Sequence, residues 1–473
     1  MSLRLYDTGT RTVRDFVPRV AGKVGVYLCG LTLQGPPHIG HLRSGVNYDV
    51  LTTWLRRSGL DVTLVRNLTD IDDKVLAKSV ERQRPWWAIS YANERILAAS
   101  YDALGVDPPT YEPRATGHIP EMLELIAELI DKGHAYAADN GDVYFSVSSY
   151  PEYGALSHRD PADMLSSADG DDTDKRDPRD FALWKAAKPG EPADSSWNTP
   201  YGRGRPGWHL ECSAMSRRYL GDAFDIHGGG TDIMFPHHEN EIAQSRAAGL
   251  GFANYWVHNN MLNFSGTKMS KSLGNTMSVD ALGRRGFRPA EIRYYLLAPH
   301  YRSAFDYSDQ ALGEAAAGYH RLENFIDRCA DASASASSGV MCADFVNAMD
   351  DDLGTPAALA AIHEVAREGN AAADAGNARS AADAAASVRA MLDILHLDPL
   401  GPQWIKRESE DLTPVVDSLV KLVLQQRQDA RKRKDYATAD AIRDRLTDSG
   451  LSIEDTAEGS RWSLNRSEPS HAG

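Results

Sequence analysis

The chain has 473 residues, 42% of them hydrophobic and 25% charged, which allows large buried cores and, at roughly 100–200 residues each, two to four domains. Nothing approaches the roughly 18 apolar residues of a membrane span, the charged N-terminus MSLRLYDTGTRTVRDF has no apolar signal core, and four cysteines do not make a secreted disulfide scaffold; a cytoplasmic chain with reduced thiols and no membrane partner is expected. The net charge of −15 argues against nucleic-acid binding by bulk charge, so any such role falls to local basic patches.

Residues 24–29 (VGVYLC) read as a strand, and a turn-rich segment, Gly30 to Pro37, follows. A helical pattern opens near His41, with Val46, Val50, Leu51, Trp54 and Leu55 on one face and Gly59 as its stop. DVTLVRNL at 61–68 reads as the next strand. Strand, helix and strand form a βαβ unit and predict a parallel sheet. Residues 160–180 are acidic and aperiodic, and read as a solvated loop. ASASASSG at 332–339 is a small-residue linker. Beyond it, Leu359, Ile362 and Val365 fit a helix face, and a helical bundle is expected. A later helix carries Val416, Leu419, Val420, Val423 and Leu424 and ends in the basic run Arg431 to Lys434. A further helix uses Ala439, Ile442 and Leu446, and the last segment reads as a hairpin turning at Glu458-Gly459.

Three constellations carry chemistry. PHIGH, Pro37 to His41, sets two imidazoles about a glycine where a loop meets a helix. Free N–H groups at the helix start suit a phosphate there, although a short motif also fits a pair of surface histidines. KMSKS, Lys268 to Ser272, offers two ammonium groups and two hydroxyls to a triphosphate, or is a solvated basic loop. The third is a possible metal set. His237 and Glu241 at i, i+4 would share a helix face, with Cys212 upstream and Cys29 ending the first strand. Two thiolates, an imidazole and a carboxylate suit zinc; buried cysteines beside a solvated HHENE helix are the alternative. His238 and Glu239 compete as ligands, although adjacent helix positions point about 100° apart. Cys329 and Cys342 read as ordinary helix residues.

PHIGH and KMSKS, some 230 residues apart, occur together in class I aminoacyl-tRNA synthetases. YLCGLTLQGPPHIGHLRSG, VRNLTDIDDK, GRGRPGWHLECSAM, DIHGGGTDIMFPHHENEIAQS, KMSKSLGN, FVNAMDDDLGTP and the C-terminal ARKRKDYATADAIRDRLTDSGLSIEDTAEGSRW resemble cysteinyl-tRNA synthetases. The chain departs from the family's usual Val-Tyr-Asp at Leu33-Gln34-Gly35 and in the acidic loop 166–176.

The resemblance implies ATP-dependent activation of L-cysteine and its transfer to tRNA(Cys) by a class I ligase acting as a monomer. It implies zinc on Cys29, Cys212, His237 and Glu241, and Mg²⁺ with the nucleotide. ATP would meet Thr32, His38, His41, Gly230, Asp232, Lys268 and Lys271, of which His38, His41, Lys268 and Lys271 would be catalytic. Cysteine would meet Cys29, Thr69, Trp208 and His237. The implied fold class is α/β. A Rossmann-like parallel-sheet catalytic domain occupies 1–120 and 201–262, split by a connective insertion at 121–200. A KMSKS-containing stem-contact region (263–317), an α-helical bundle (318–401) and a small α+β anticodon-binding domain (402–473) follow. A relative with the same zinc and ATP motifs, the ligase that joins cysteine to glucosaminyl-inositol in mycothiol synthesis, is the alternative; it lacks the C-terminal part.

Overall fold

The computed structural model describes residues 3–159, 174–264, 277–329, 339–404, 413–448, 451–456 and 459–464. The acidic stretch 160–173, the KMSKS segment, linker residues 332–338 and the Glu458 turn position lie outside these. The chain forms two compact units, divided between Pro399 and Leu400.

A ribbon of Arg4–Asp7 (β1) and Thr12–Asp15 (β2) leads into Lys23–Leu28 (β3). VGVYL is almost continuously apolar, as a strand covered on both faces must be. The helix Ile39–Arg57 (α1) follows, then Asp61–Arg66 (β4) beside β3 in parallel. Val46, Val50, Leu51, Trp54 and Leu55 are all buried. Just past the helix, Gly59 takes φ +85°, a conformation glycine adopts without steric cost. Asp73–Arg82 (α2) and Trp86–Ala103 (α3) come next.

The helix Ile119–Asp131 (α4) precedes an antiparallel sheet. Its strands are Ala135–Ala137 (β5), Val143–Phe145 (β6), Phe181–Ala186 (β7), Trp197–Thr199 (β8) and Gly202–Pro206 (β9), in the order β5-β6-β7-β9-β8. The main sheet then resumes through Trp208–Leu220 (α5), Ala223–Gly230 (β10), Glu239–Ala247 (α6) and Phe252–Asn259 (β11). Its order is β11-β10-β3-β4, all parallel. Chain order reverses between β3 and β10, and the crevice beyond the strand ends at such a reversal is where open α/β sheets bind ligands.

A short pair, Leu262–Asn263 (β12) and Phe305–Asp306 (β13), brackets Val279–Arg284 (α7) and Pro289–Leu297 (α8). Helices Asp309–Arg328, Ala343–Asp350, Thr355–Asp374 and Ala378–Ile394 complete the first unit. In Thr355–Asp374 the buried stripe holds Leu359 and Ile362 with Ala358 and Ala366, and Val365 sits at its margin. The cysteines read as helix residues flank helices instead: Cys329 closes Asp309–Arg328 and Cys342 opens Ala343–Asp350. The buried Arg293 guanidinium on α8 donates to Asp49 on α1 at 2.6 Å and to the carbonyls of Leu104, Gly105 and Leu395.

The second unit contains Thr413–Lys432, Tyr436–Asp448 and an antiparallel hairpin of Leu451–Thr456 (β14) with Gly459–Leu464 (β15). Val420, Leu424, Ala439 and Leu451 are buried, whereas Leu419 is 58% exposed and lies off the packed face. Arg431 to Lys434 are exposed.

Candidate metal and nucleotide site

Each proposed zinc ligand arrives from a different part of the main domain. Cys29 follows β3, Cys212 lies on α5, His237 precedes α6 and Glu241 lies on α6. Their ligand atoms all fall within 4.8 Å of one another. Cys29 Sγ is 3.6 Å from Cys212 Sγ, 3.6 Å from His237 Nε2 and 3.4 Å from Glu241 Oε1. His237 Nε2 lies 3.1 Å from Glu241 Oε1. Tetrahedral zinc, with bonds of about 2.3 Å to sulfur and about 2.0 Å to nitrogen or oxygen, spaces its ligand atoms about 3.3–3.8 Å apart. The donors therefore fit the ion. Burial, then Cys212 and Glu241, push the Cys29 thiol well above its usual range, and burial lowers His237 to about 3; a divalent cation is the group that would offset two thiolates here.

His237 and Glu241 meet as the i, i+4 spacing requires, but not along one regular helix. Met234–His238 forms a π-helical turn broken at Phe235, and α6 begins at Glu239. The kink separates the competing neighbours. Glu239 accepts from the backbone amides of Gly154 and Ser157 in the insertion. His238 Nδ1 meets His258 Nε2 at 2.7 Å. A second group, Cys29, His227, His238 and Glu241, also falls within 4.8 Å. It offers one thiolate, and neither His227 nor His238 lines the cavity described below.

Outer contacts orient the first set. His227 Nε2 lies 2.8 Å from Glu241 Oε2, turning Oε1 toward Cys29. His209 Nδ1 lies 2.9 Å from His237 Nδ1, which leaves His237 Nε2 facing the site. Such contacts fix ring orientation and tautomer at metal sites. His209, His227 and His258 were not singled out as functional from the sequence; the histidine density of WHLEC and DIHGGG was the available signal for the first two, and His258, in the strand YWVHNN, had none.

A cavity of about 440 Å³ opens above the donors. Cys29, Thr32, His41, Thr69, Trp208, Cys212, Asp232 and His237 all line it. Trp208 stacks on His237 with ring centres 4.2 Å apart. The Thr69 hydroxyl donates to Glu211 at 3.2 Å and accepts from Asn67 Nδ2 at 3.3 Å. Asn67 Oδ1 accepts from Gly30 N–H. A side chain at Gly30 would place Cβ 1.7 Å from the Asn67 carbonyl, so glycine is what lets these strand ends approach. In the departing tripeptide, the Leu33 amide donates to Thr69 O, Asn93 Nδ2 donates to Leu33 O, and Gln34 and Gly35 face the cavity.

His38 and His41 open α1 as a reciprocal cap, each Nδ1 accepting the other's backbone N–H at 3.3 Å, with the rings stacked 3.5 Å apart. Burial, with the neighbouring His41, lowers His38 to about 4, and burial lowers His41. Gly230 ends β10 next to the exposed Asp232. Phe264 presents its ring edge-on to His38 at 5.1 Å, and Ile39 N–H donates to Met277 O at 2.8 Å. Both flanks of the KMSKS segment thus rest on the first turn of α1. Lys268 and Lys271 themselves lie outside the described residues.

Residues 15–317 match the family described as tRNA synthetases class I (C) catalytic domain, 344–401 the DALR domain, and 411–462 the cysteinyl-tRNA ligase anticodon binding domain. A cysteine–tRNA ligase of Nocardioides sp. is 57% identical, covering 98% of this chain and 100% of that protein. One of Streptomyces avermitilis is 56% identical, covering 98% and 99%. Among solved structures, Mycobacterium tuberculosis methionyl-tRNA synthetase with methionyl-adenylate superposes with a TM-score of 0.57 at 16% identity, covering 80% of this chain and 90% of that one. An Agrobacterium radiobacter leucyl-tRNA synthetase ternary complex gives 0.59 at 12% identity, covering 83% and 86%. These two speak to the fold, a class I α/β architecture, and the curated relatives to the family: the chain belongs to the cysteine–tRNA ligases of the class I aminoacyl-tRNA synthetases.

Proposed function

We propose that this chain activates L-cysteine with ATP and transfers it to the 3′ end of tRNA(Cys), in the cytoplasm and as a monomer. The observation that carries this reading is the placement of a thiol-seeking donor set on the floor of the cavity that His41 also lines. Zinc, held by Cys29, Cys212, His237 and Glu241, would supply a Lewis-acidic seat selective for a thiolate over a hydroxyl. Mg²⁺ would accompany the nucleotide.

The chain's own residues account for the rest. Trp208, stacked on His237, walls the amino-acid pocket, and Thr69 is held by Glu211 and Asn67 so that its oxygen position is fixed. The cysteine carboxylate attacks the ATP α-phosphorus and pyrophosphate leaves, so no general base is needed and positioning dominates. His38 and His41 hold the phosphates at the helix start, Thr32, Gly230 and Asp232 lie toward the nucleoside, and Lys268 and Lys271 neutralise charge on the leaving pyrophosphate. A terminal tRNA hydroxyl then attacks the adenylate carbonyl and AMP leaves. The anticodon-binding match at 411–462 favours tRNA over glucosaminyl-inositol as acceptor.

The test is amino-acid-dependent ATP–pyrophosphate exchange followed by acceptor assays. Cysteine should support exchange and serine should fall short by more than the roughly 10–200-fold that shape alone achieves. Charging of glucosaminyl-inositol but not tRNA would overturn the acceptor assignment, and fast serine activation followed by hydrolysis would overturn the thiol-selective pocket.

A further inference from the structure

Lys74, Lys78 and Arg82 recur every fourth residue along α2, forming one stripe with about 6 Å between steps. All three line the cavity that also holds Cys29, His41, Thr69 and Trp208. Among the described residues, no carboxylate lies within ion-pair distance of Lys74 or Arg82, and Lys78 meets Glu81 in a solvent-exposed pair. Of the two acids at the start of the helix, Asp73 is already paired with Lys185 and Arg205 of the insertion sheet, and Asp72, which caps the helix through Val75 N–H, offsets Lys74 in part but not Lys78 or Arg82. Like charges at i, i+4 disfavour a helix, and the chain as a whole carries −15. A cationic wall inside the reaction cavity of an acidic protein is a local reversal of sign that suits a polyanion.

Two polyanions enter under the function proposed above. Under that function the ATP phosphates are assigned to the start of α1, where the stacked His38 and His41 rings present their Nε2 atoms. We propose that the α2 stripe is the track for the phosphates of the single-stranded 3′ end of tRNA, delivering the terminal ribose to the cavity; this rests on the tRNA-charging reading. Evenly spaced Lys and Arg contacts position a strand without reading its sequence, which suits a terminus that only has to be brought to the adenylate.

The test uses the full chain with Lys74→Gln, Lys78→Gln and Arg82→Gln combined. Cysteine-dependent pyrophosphate exchange should stay within about twofold, which also shows that the variant is folded. Single-turnover transfer from preformed adenylate, at subsaturating tRNA, should fall about tenfold or more. The slope of log affinity for tRNA against log salt should flatten by about two, at roughly 0.7 per phosphate on a single strand. The charge-keeping Lys74→Arg, Lys78→Arg, Arg82→Lys variant should retain transfer. Exchange lost in parallel with transfer would overturn the proposal in favour of an ATP contact, and unchanged transfer and salt slope would overturn it in favour of a solvated helix face. A wild-type chain that makes cysteinyl-adenylate but charges no tRNA would instead sink the function on which the proposal rests.

Discussion

Replacing His227 by Phe separates the two possible metal sets by magnitude. His227 is fully buried and stacks on Trp256 with ring centres 4.4 Å apart, a contact that a phenyl ring can keep. What is lost is the 2.8 Å contact to Glu241 Oε2, also fully buried. Leaving a buried carboxylate oxygen unpartnered costs about 1–3 kcal/mol. Outer-contact losses of this kind weaken metal binding about 10–100-fold, or about 1.4–2.7 kcal/mol. Competition against a chromophoric chelator measures zinc affinity, and a melting curve checks that the variant is folded. His237→Phe, which removes a ligand, should be far more damaging than His227→Phe. The reverse order, with zinc all but lost in His227→Phe and close to wild type in His237→Phe, would place the ion in the His227–His238 group and refute the assignment.

Metal analysis of purified protein should find close to one zinc per chain, and Cys212→Ser should lose it; full retention would remove Cys212 from the ligand set. Deleting residues 402–473 should spare cysteine-dependent pyrophosphate exchange and greatly impair tRNA charging, and equal loss of both in a folded truncation would contradict that division of labour. Stability should also depend on pH through Asp49 and His396, which lie 3.0 Å apart. Burial alone would lower His396, but the hydrogen bond and charge of Asp49 outweigh it and hold the imidazole above its usual value. This stabilisation is complete below about pH 6.5 and fades as pH rises through the raised value. His396→Gln should flatten that decline in denaturant titrations; an identical pH profile in both proteins would refute the coupling.

The first βαβ unit was legible because its signals are local: continuous apolar strands, one helical stripe and a glycine stop. The segment around α6 was not. Glu239, Asn240, Glu241, Gln244 and Ser245 are all buried there, so the helix has no polar face for periodicity to find, and its partners come from the insertion and from β10. The insertion sheet escaped for a different reason, since β5, β6 and β8 are three residues each and too short to show alternation. In the helix Thr413–Lys432, five apolar residues read as one face, yet Leu419 stays exposed, because apolarity alone does not say which side a neighbour covers. Of the site, the ligand residues were named from pattern and resemblance. The histidines that aim them were not, because the histidine density of WHLEC and DIHGGG does not say that His209 meets His237 or that His227 meets Glu241.

The reciprocal cap at His38 and His41 does more than start a helix. Because each Nδ1 accepts a backbone N–H, neither can carry a proton of its own, and both rings are locked as the Nε2–H tautomer. Burial keeps His38 uncharged down to about pH 4 and lowers His41 as well. The motif therefore offers a nucleotide two neutral, pre-aimed hydrogen-bond donors rather than two positive charges. A phosphate brought to this end of the helix would meet those two donors already aimed, with no ring rotation needed.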